Sequence, residues 1–160
     1  EIIDEIRETV PGVALSTDII VGFPGETEEQ YQRSLELMKD IRFDKVHSAA
    51  YSPRPGTVAF RTLPDEVPPD EKRRRLKELD QLQESILREI NSNLLGQELE
   101  VLVEGRKKGK WQGRTRTDKL VFFQDALPQE GNYQGELVKL KIDQAGPWSL
   151  QGTPAQVTLA

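Results

Sequence analysis

The chain has 160 residues, of which 36% are hydrophobic and 31% charged, a formal net charge of −5 and no cysteine. That composition belongs to a globular chain of one domain or two small ones. It excludes disulfides and thiolate-held clusters, and no apolar run reaches the roughly 18–20 residues that cross a bilayer. The charge is unevenly placed: residues 1–91 carry a net −6 and residues 92–160 a net +1, so the acidic total hides a basic cluster near the C-terminal end.

Ile2, Ile3, Ile6 and Val10 recur at helical spacing until Pro11-Gly12 stops them. Ile19, Ile20, Val21 and Phe23 form a continuous apolar run, which predicts a parallel strand covered on both faces. Gly22 and Gly25 flank Phe23-Pro24, where the backbone must turn sharply. Thr27 and Gln30 have capping-box spacing, which predicts a helix over 27–41. Val46–Tyr51 reads as a second strand, and Ser52-Pro53-Arg54-Pro55-Gly56 as its rigid exit loop. The expected unit is β-α-β, with ligands expected at the carboxyl ends of its strands. His47 is the only histidine and cannot build a metal site alone.

Pro64, Pro68 and Pro69 make residues 63–69 an extended connector. Asp70 is a plausible N-cap for a long helix to about Asn93, with Leu76, Leu79, Leu82, Ile86, Ile90 and Leu94 on its buried face. The run Lys72-Arg73-Arg74-Arg75 reads as a solvated helix face among carboxylates, in preference to a phosphate-contacting patch. After Gly96 the period changes to that of strands. Leu99, Val101 and Val103 alternate with charged neighbours, and Trp111–Thr117, Leu120–Phe123, Glu136–Ile142 and Ser149–Thr158 are further strands, together a small barrel. Arg106, Lys107, Lys108, Lys110, Arg114, Arg116 and Lys119 fall within 14 positions, with Trp111 among them. Cations that track phosphates and a ring that could stack a base are the parts of RNA recognition; the alternative is an ordinary soluble hairpin with Trp111 in the core. Trp148 is expected to pack in the barrel.

The segments STDIIVGFPGET and YSPRPGT closely resemble the last strands of the radical S-adenosylmethionine domain of methylthiotransferases. Leu63–Pro68 and the helix after it resemble that family's linker; Val101–Gly105, Gly113–Thr117 and Pro147–Leu150 resemble its C-terminal TRAM domain. The resemblance covers essentially the whole chain and is closest to the tRNA-modifying branch. It implies an α/β portion of a partial TIM-like barrel (1–62), a proline-rich linker and long helix (63–95), and a small all-β, OB-like TRAM barrel that binds RNA (96–160). In the complete enzyme it implies S-adenosylmethionine and two 4Fe–4S clusters. Cleavage of S-adenosylmethionine at one cluster would start radical addition of a methylthio group to an isopentenylated adenosine beside the anticodon.

The cluster-binding cysteines are absent here, so the expectation is a C-terminal portion that lacks the first domain and the first barrel strands and is inactive alone. Its expected partners are the tRNA anticodon stem-loop and those missing domains, with no membrane, in the cytoplasm. Thr17, Asp18, Tyr51 and Ser52 are the residues expected toward S-adenosylmethionine or substrate, and Arg54 toward substrate. Arg106, Lys107, Lys108, Lys110, Trp111, Arg114, Arg116 and Lys119 are those expected to bind RNA. Relatives usually have Asn after the Gly-Arg-Thr-Arg-Thr motif; Asp118 would repel phosphate or pair with Arg116 or Lys119. The alternatives are an enzyme that methylthiolates an aspartate of a ribosomal protein, and a stand-alone RNA-binding protein.

Overall fold

A computed structural model describes residues 2–124 and 132–155. The chain forms two compact units, Glu1–Ile86 and Leu87–Ala160. In the first, α1 (Ile2–Thr9) is followed by β1 (Ser16–Val21), α2 (Glu28–Ile41), β2 (Lys45–Ala50), the short α3 (Val58–Thr62) and α4 (Pro69–Ser92), whose last turns belong to the second unit. The capping box is present: Thr27 accepts from Gln30 N, and the Gln30 side chain accepts from Thr27 N. Arg42, left-handed at φ 56, ends α2 with its N–H on the Met38 carbonyl. Pro69 opens α4, so Asp70 lies inside the first turn and not at the N-cap.

β1 and β2 pair in parallel as a two-stranded sheet, Ser16 opposite Lys45 through Val21 opposite Ala50. The strand expected to be covered on both faces is covered on one. Thr17, Ile19 and Val21 lie on the more buried face, whereas Asp18 and Ile20 lie on the other, Ile20 being 55% exposed. Two strands hold no second layer over that face. The buried apolar side chains of the unit are Val21, Tyr31, Leu35, Met38, Phe43, Val67, Leu79 and Ile86, largely from α2 and α4.

The second unit is a closed barrel of β3 (Glu98–Lys107), β4 (Lys110–Thr115), β5 (Leu120–Phe123), β6 (Leu137–Ala145) and β7 (Leu150–Pro154), in the order β3-β4-β5-β7-β6. Closure removes the free strand edges. Alternation decides which side chains fill it: Val101, Val103, Trp111, Val121, Phe123, Leu140, Ile142 and Leu150 form one core. Gly113 is required by close approach, because a Cβ there would stand 2.3 Å from the Leu102 carbonyl oxygen. Positions 156–158 of the last expected strand lie outside the described residues. Trp148, expected in the core, is 60% exposed, in the segment between β6 and β7.

Candidate functional site

The two basic runs of the sequence meet different fates. In the first unit, Lys72 and Arg75 are buried, at 6% and 5% exposure, which overturns the expected solvated face at these two positions. Arg75 donates from Nε to Glu71 at 2.8 Å and from Nη1 to the Glu26 carboxylate at 2.7 Å and carbonyl at 3.1 Å. It also lies over the Tyr31 ring. The same Glu26 carboxylate accepts from Gly22 N at 2.6 Å. Lys72 Nζ reaches Asp65 at 2.5 Å and the Tyr51 carbonyl at 3.3 Å. Its stem lies against Gly22, where a Cβ would stand 2.4 Å from Lys72 Cγ and the backbone has φ 69. Arg74 is shared by Glu28, Glu71 and Glu78, and Arg73 pairs with Asp70. These bonds hold the Glu71 carboxyl down at about 2, Arg74 contributing most. Burial, then the Glu78 carboxylate, pushes the Tyr31 hydroxyl above the ordinary phenol range. The run is an internal clamp that ties α4 to the carboxyl ends of β1 and β2.

Of the residues singled out from the sequence, Tyr51, Ser52 and Arg54 follow the carboxyl end of β2, whereas Thr17 and Asp18 lie at the amino end of β1. Thr17 and Asp18 point to opposite faces, so they cannot line one site together; Asp18 is exposed on the open face, opposite His47. Tyr51 is half-buried, edge-on to Phe23 with ring centroids 5.1 Å apart, and Ser52 and Arg54 are exposed. Phe23, 41% exposed at the turn after β1, was missed because its apolar run reads as core. The open face and its polar rim fit one side of a cradle for a polar ligand. They do not fit a cluster: the chain has no cysteine, and no group of three His, Asp or Glu side chains able to hold a metal occurs among the described residues.

In the barrel, Lys107 and Lys110 are partners across a two-residue hairpin turn whose central residues, Lys108 and Gly109, have φ 50 and 81. A lysine in that left-handed position is costly, so the turn keeps a cation where Asn or Gly would fit better. Lys107 and Lys108 are exposed and make no ion pair among the described residues. Lys110 donates to Gln151 at 3.0 Å. Trp111 is corrected from a base-stacking ring to a core residue: it is 5% exposed, edge-on to Tyr133 at 5.3 Å, with the Arg106 guanidinium 4.4 Å from its ring centre. β4 begins one residue before Trp111, so strand alternation turns position 111 inward.

Arg114 on β4 and Arg116 just after it face outward and are already paired. Arg114 lies 3.7 Å from Glu104 and 3.5 Å from Asp118, and donates to the Asp118 carbonyl at 2.9 Å. Arg116 is 2.6 Å from Glu100. Asp118 therefore meets Arg114, where Arg116 or Lys119 was expected. Its φ of 60 explains the residue type, since Asn and Asp are the non-glycine residues that best tolerate this conformation. Lys119 is half-buried, and its N–H is held by the Thr115 hydroxyl at 3.1 Å.

Residues 93–155 match the TRAM domain family. The barrel is a TRAM domain. Over 94% of its length the chain is 50% identical to the tRNA-2-methylthio-N(6)-dimethylallyladenosine synthase of Dehalococcoides mccartyi strain 195, covering 35% of that protein. It is also 50% identical over 98% of its length to the synthase of the same name from Roseiflexus sp. strain RS-1, covering 33% of it. The similarity is to the C-terminal part of these synthases. The chain thus spans about a third of the length of the curated relatives it matches. A solved multidomain protein with nucleic acid binding domains from Streptococcus pneumoniae is similar over 42% of this chain and 25% of its own, at 12% identity and a TM-score of 0.34, too slight to argue from.

Proposed function

We propose that this chain is the C-terminal part of a tRNA methylthiotransferase that modifies an isopentenylated adenosine beside the anticodon, and that its TRAM barrel binds the tRNA. The observation that supports this most is the half-identity to synthases of that name over nearly the whole chain, joined to a closed barrel that carries an exposed lysine in a left-handed conformation at a hairpin tip. On this reading residues 1–62 supply late strands of a radical S-adenosylmethionine barrel, 63–95 a linker and long helix, and 96–160 the RNA-binding module. The open face of β1 and β2 is where the rest of that barrel closes.

Asp18, Tyr51, Ser52 and Arg54 then stand toward S-adenosylmethionine or the target adenosine. The cofactor supplies the radical and the methyl group when bound; these side chains orient and hold it or the substrate, and Arg54, set between two prolines, suits bidentate contact with a carboxylate or phosphate. The cysteine-held clusters belong to other segments of the whole enzyme, so this part alone carries no redox step. Such an enzyme works in the cytoplasm. Lys107, Lys108 and Lys110 make the first phosphate contacts, with Arg106, Arg114, Arg116 and Lys119 beside them. Fluorescence anisotropy with a labelled anticodon stem-loop at several salt concentrations tests the reading. Binding should weaken linearly on a log–log plot, by roughly 0.7–0.9 per phosphate contact. Absent binding, or binding indifferent to salt, would overturn it.

A further inference from the structure

One surface of the TRAM barrel differs from its basic turn. On the outward face of β3 and its neighbours, Leu102 is 46% exposed and Leu137, its partner on β6, 60% exposed. Across β3 on the other side, the register sets Arg114 opposite Leu102. Glu100, Leu102, Arg114, Thr115, Arg116 and Leu137 line an open groove of about 260 Å³, its exposed lining mostly apolar. The charges around it balance: Arg114 is held by Glu104 and Asp118, Arg116 by Glu100, and Lys139 stands opposite Glu100 on β6. A balanced rim has little pull on a phosphate, and an apolar floor none.

We infer that this groove is a seat for one unstacked nucleobase of the bound RNA, with Leu102 and Leu137 as its floor and the Arg114 and Arg116 guanidinium planes as its walls. A base is flat, neutral and apolar on its faces, and its edge carries amino donors. Leucine side chains cover a base face, guanidinium planes stack on it, and a carboxylate such as Glu100 accepts from an amino group. The ion pairs draw the two guanidinium groups toward this rim ahead of binding, which lowers the ordering cost. Lys107 is five positions along β3 from Leu102, roughly 17 Å, within the reach of a strand of about 4–16 nucleotides on an OB-like barrel. The inference rests on the RNA-binding reading and divides its labour: lysines of the turn hold phosphates, and the groove holds a base.

The test compares wild type with the Leu102→Ser/Leu137→Ser variant on two single-stranded RNAs of about 12 nucleotides, one of mixed sequence and one with abasic sites at its central positions. Both leucines are exposed, so the thermal midpoint of the barrel should hold; Leu137→Met serves as a conservative control that should bind like wild type. Wild type should prefer the base-bearing RNA by at least about fivefold. In the serine variant that preference should vanish, with the salt slope unchanged. If wild type binds RNA but the variant keeps the preference, or loses affinity equally for both RNAs, the groove is not a base seat and the RNA-binding reading stands. If wild type binds neither RNA but binds the anticodon stem-loop, the base seat falls and the RNA-binding reading stands; if it binds none of the three, both fall. A wild-type dimer that the serine variant breaks, with RNA binding intact, would assign the groove to a second copy of the chain and overturn the inference.

Discussion

The run Lys72–Arg75 and the run Arg106–Lys119 look alike in the sequence and differ in the folded chain. In the first run each cation has a carboxylate within reach along α4, in the connector before it at Asp65, or across to residues 26–28, and two of the four cations are buried in that network. In the barrel, Lys107 and Lys108 lie at a two-residue turn and make no ion pair among the described residues, whereas Arg114 and Arg116 are paired with carboxylates. Density of positive charge therefore does not mark a nucleic-acid surface. What separates the runs is where the acidic partners fall. Glu71 and Glu78 sit at i−3, i−4 and i+4 from the arginines of a helix, within one turn, whereas strand neighbours alternate between faces.

The largest expected effects break each unit at its own centre. Trp111→Ala should destabilise the barrel by about 3–5 kcal/mol, the usual cost of emptying a buried Trp site, read from the barrel's urea transition. If Trp111 stacked a base instead, RNA affinity would fall and stability would hold. Arg75→Ala should cost the first unit about 3 kcal/mol, because Glu26 and Glu71 are left facing an empty site, with RNA affinity unchanged. Gly22→Ala adds a Cβ against the Lys72 stem at a positive φ and should cost the same unit about 1–3 kcal/mol.

A pH series sharpens the comparison further. Glu71 has a carboxyl pulled from 4.5 to about 2 in the folded state, so its contribution is present above pH 4.5 and is lost as pH falls toward 2. The thermal midpoint of the first unit should drop over that window, and Glu71→Gln should remove that part of the drop. A smaller effect concerns the turn: Lys108→Gly relieves the left-handed lysine, so the barrel midpoint should rise or hold while RNA binding weakens.

Much of this was legible in the sequence where one local rule decides. The Thr27/Gln30 capping box and the apolar face of α4 come from helix spacing, and the alternation of Leu99, Val101 and Val103 marks β3. What failed needed a neighbour from far along the chain. Ile20 and Phe23 read as core because an apolar run does not say whether a second layer exists. Thr17 and Asp18 read as a pair although strand geometry sends them to opposite faces. Trp111 is core because alternation along β4 turns it inward, and Trp148 is exposed because it lies between β6 and β7, where alternation does not set its direction. The pairing of Arg114 with Asp118 depends on a left-handed residue that only the backbone reveals. Thr57 capping α3 is a local signal that was missed, its hydroxyl accepting from Phe60 N.

The claim that the two basic runs have separate roles is tested most directly by the salt dependence of anticodon stem-loop binding in two double variants. Lys107→Ala/Lys108→Ala should flatten the log–log slope by roughly 1.4–1.8, two phosphate contacts' worth. Arg73→Ala/Arg74→Ala should leave it as in wild type. A slope that flattens for the helix variant and holds for the turn variant would place the RNA on α4 and contradict the account.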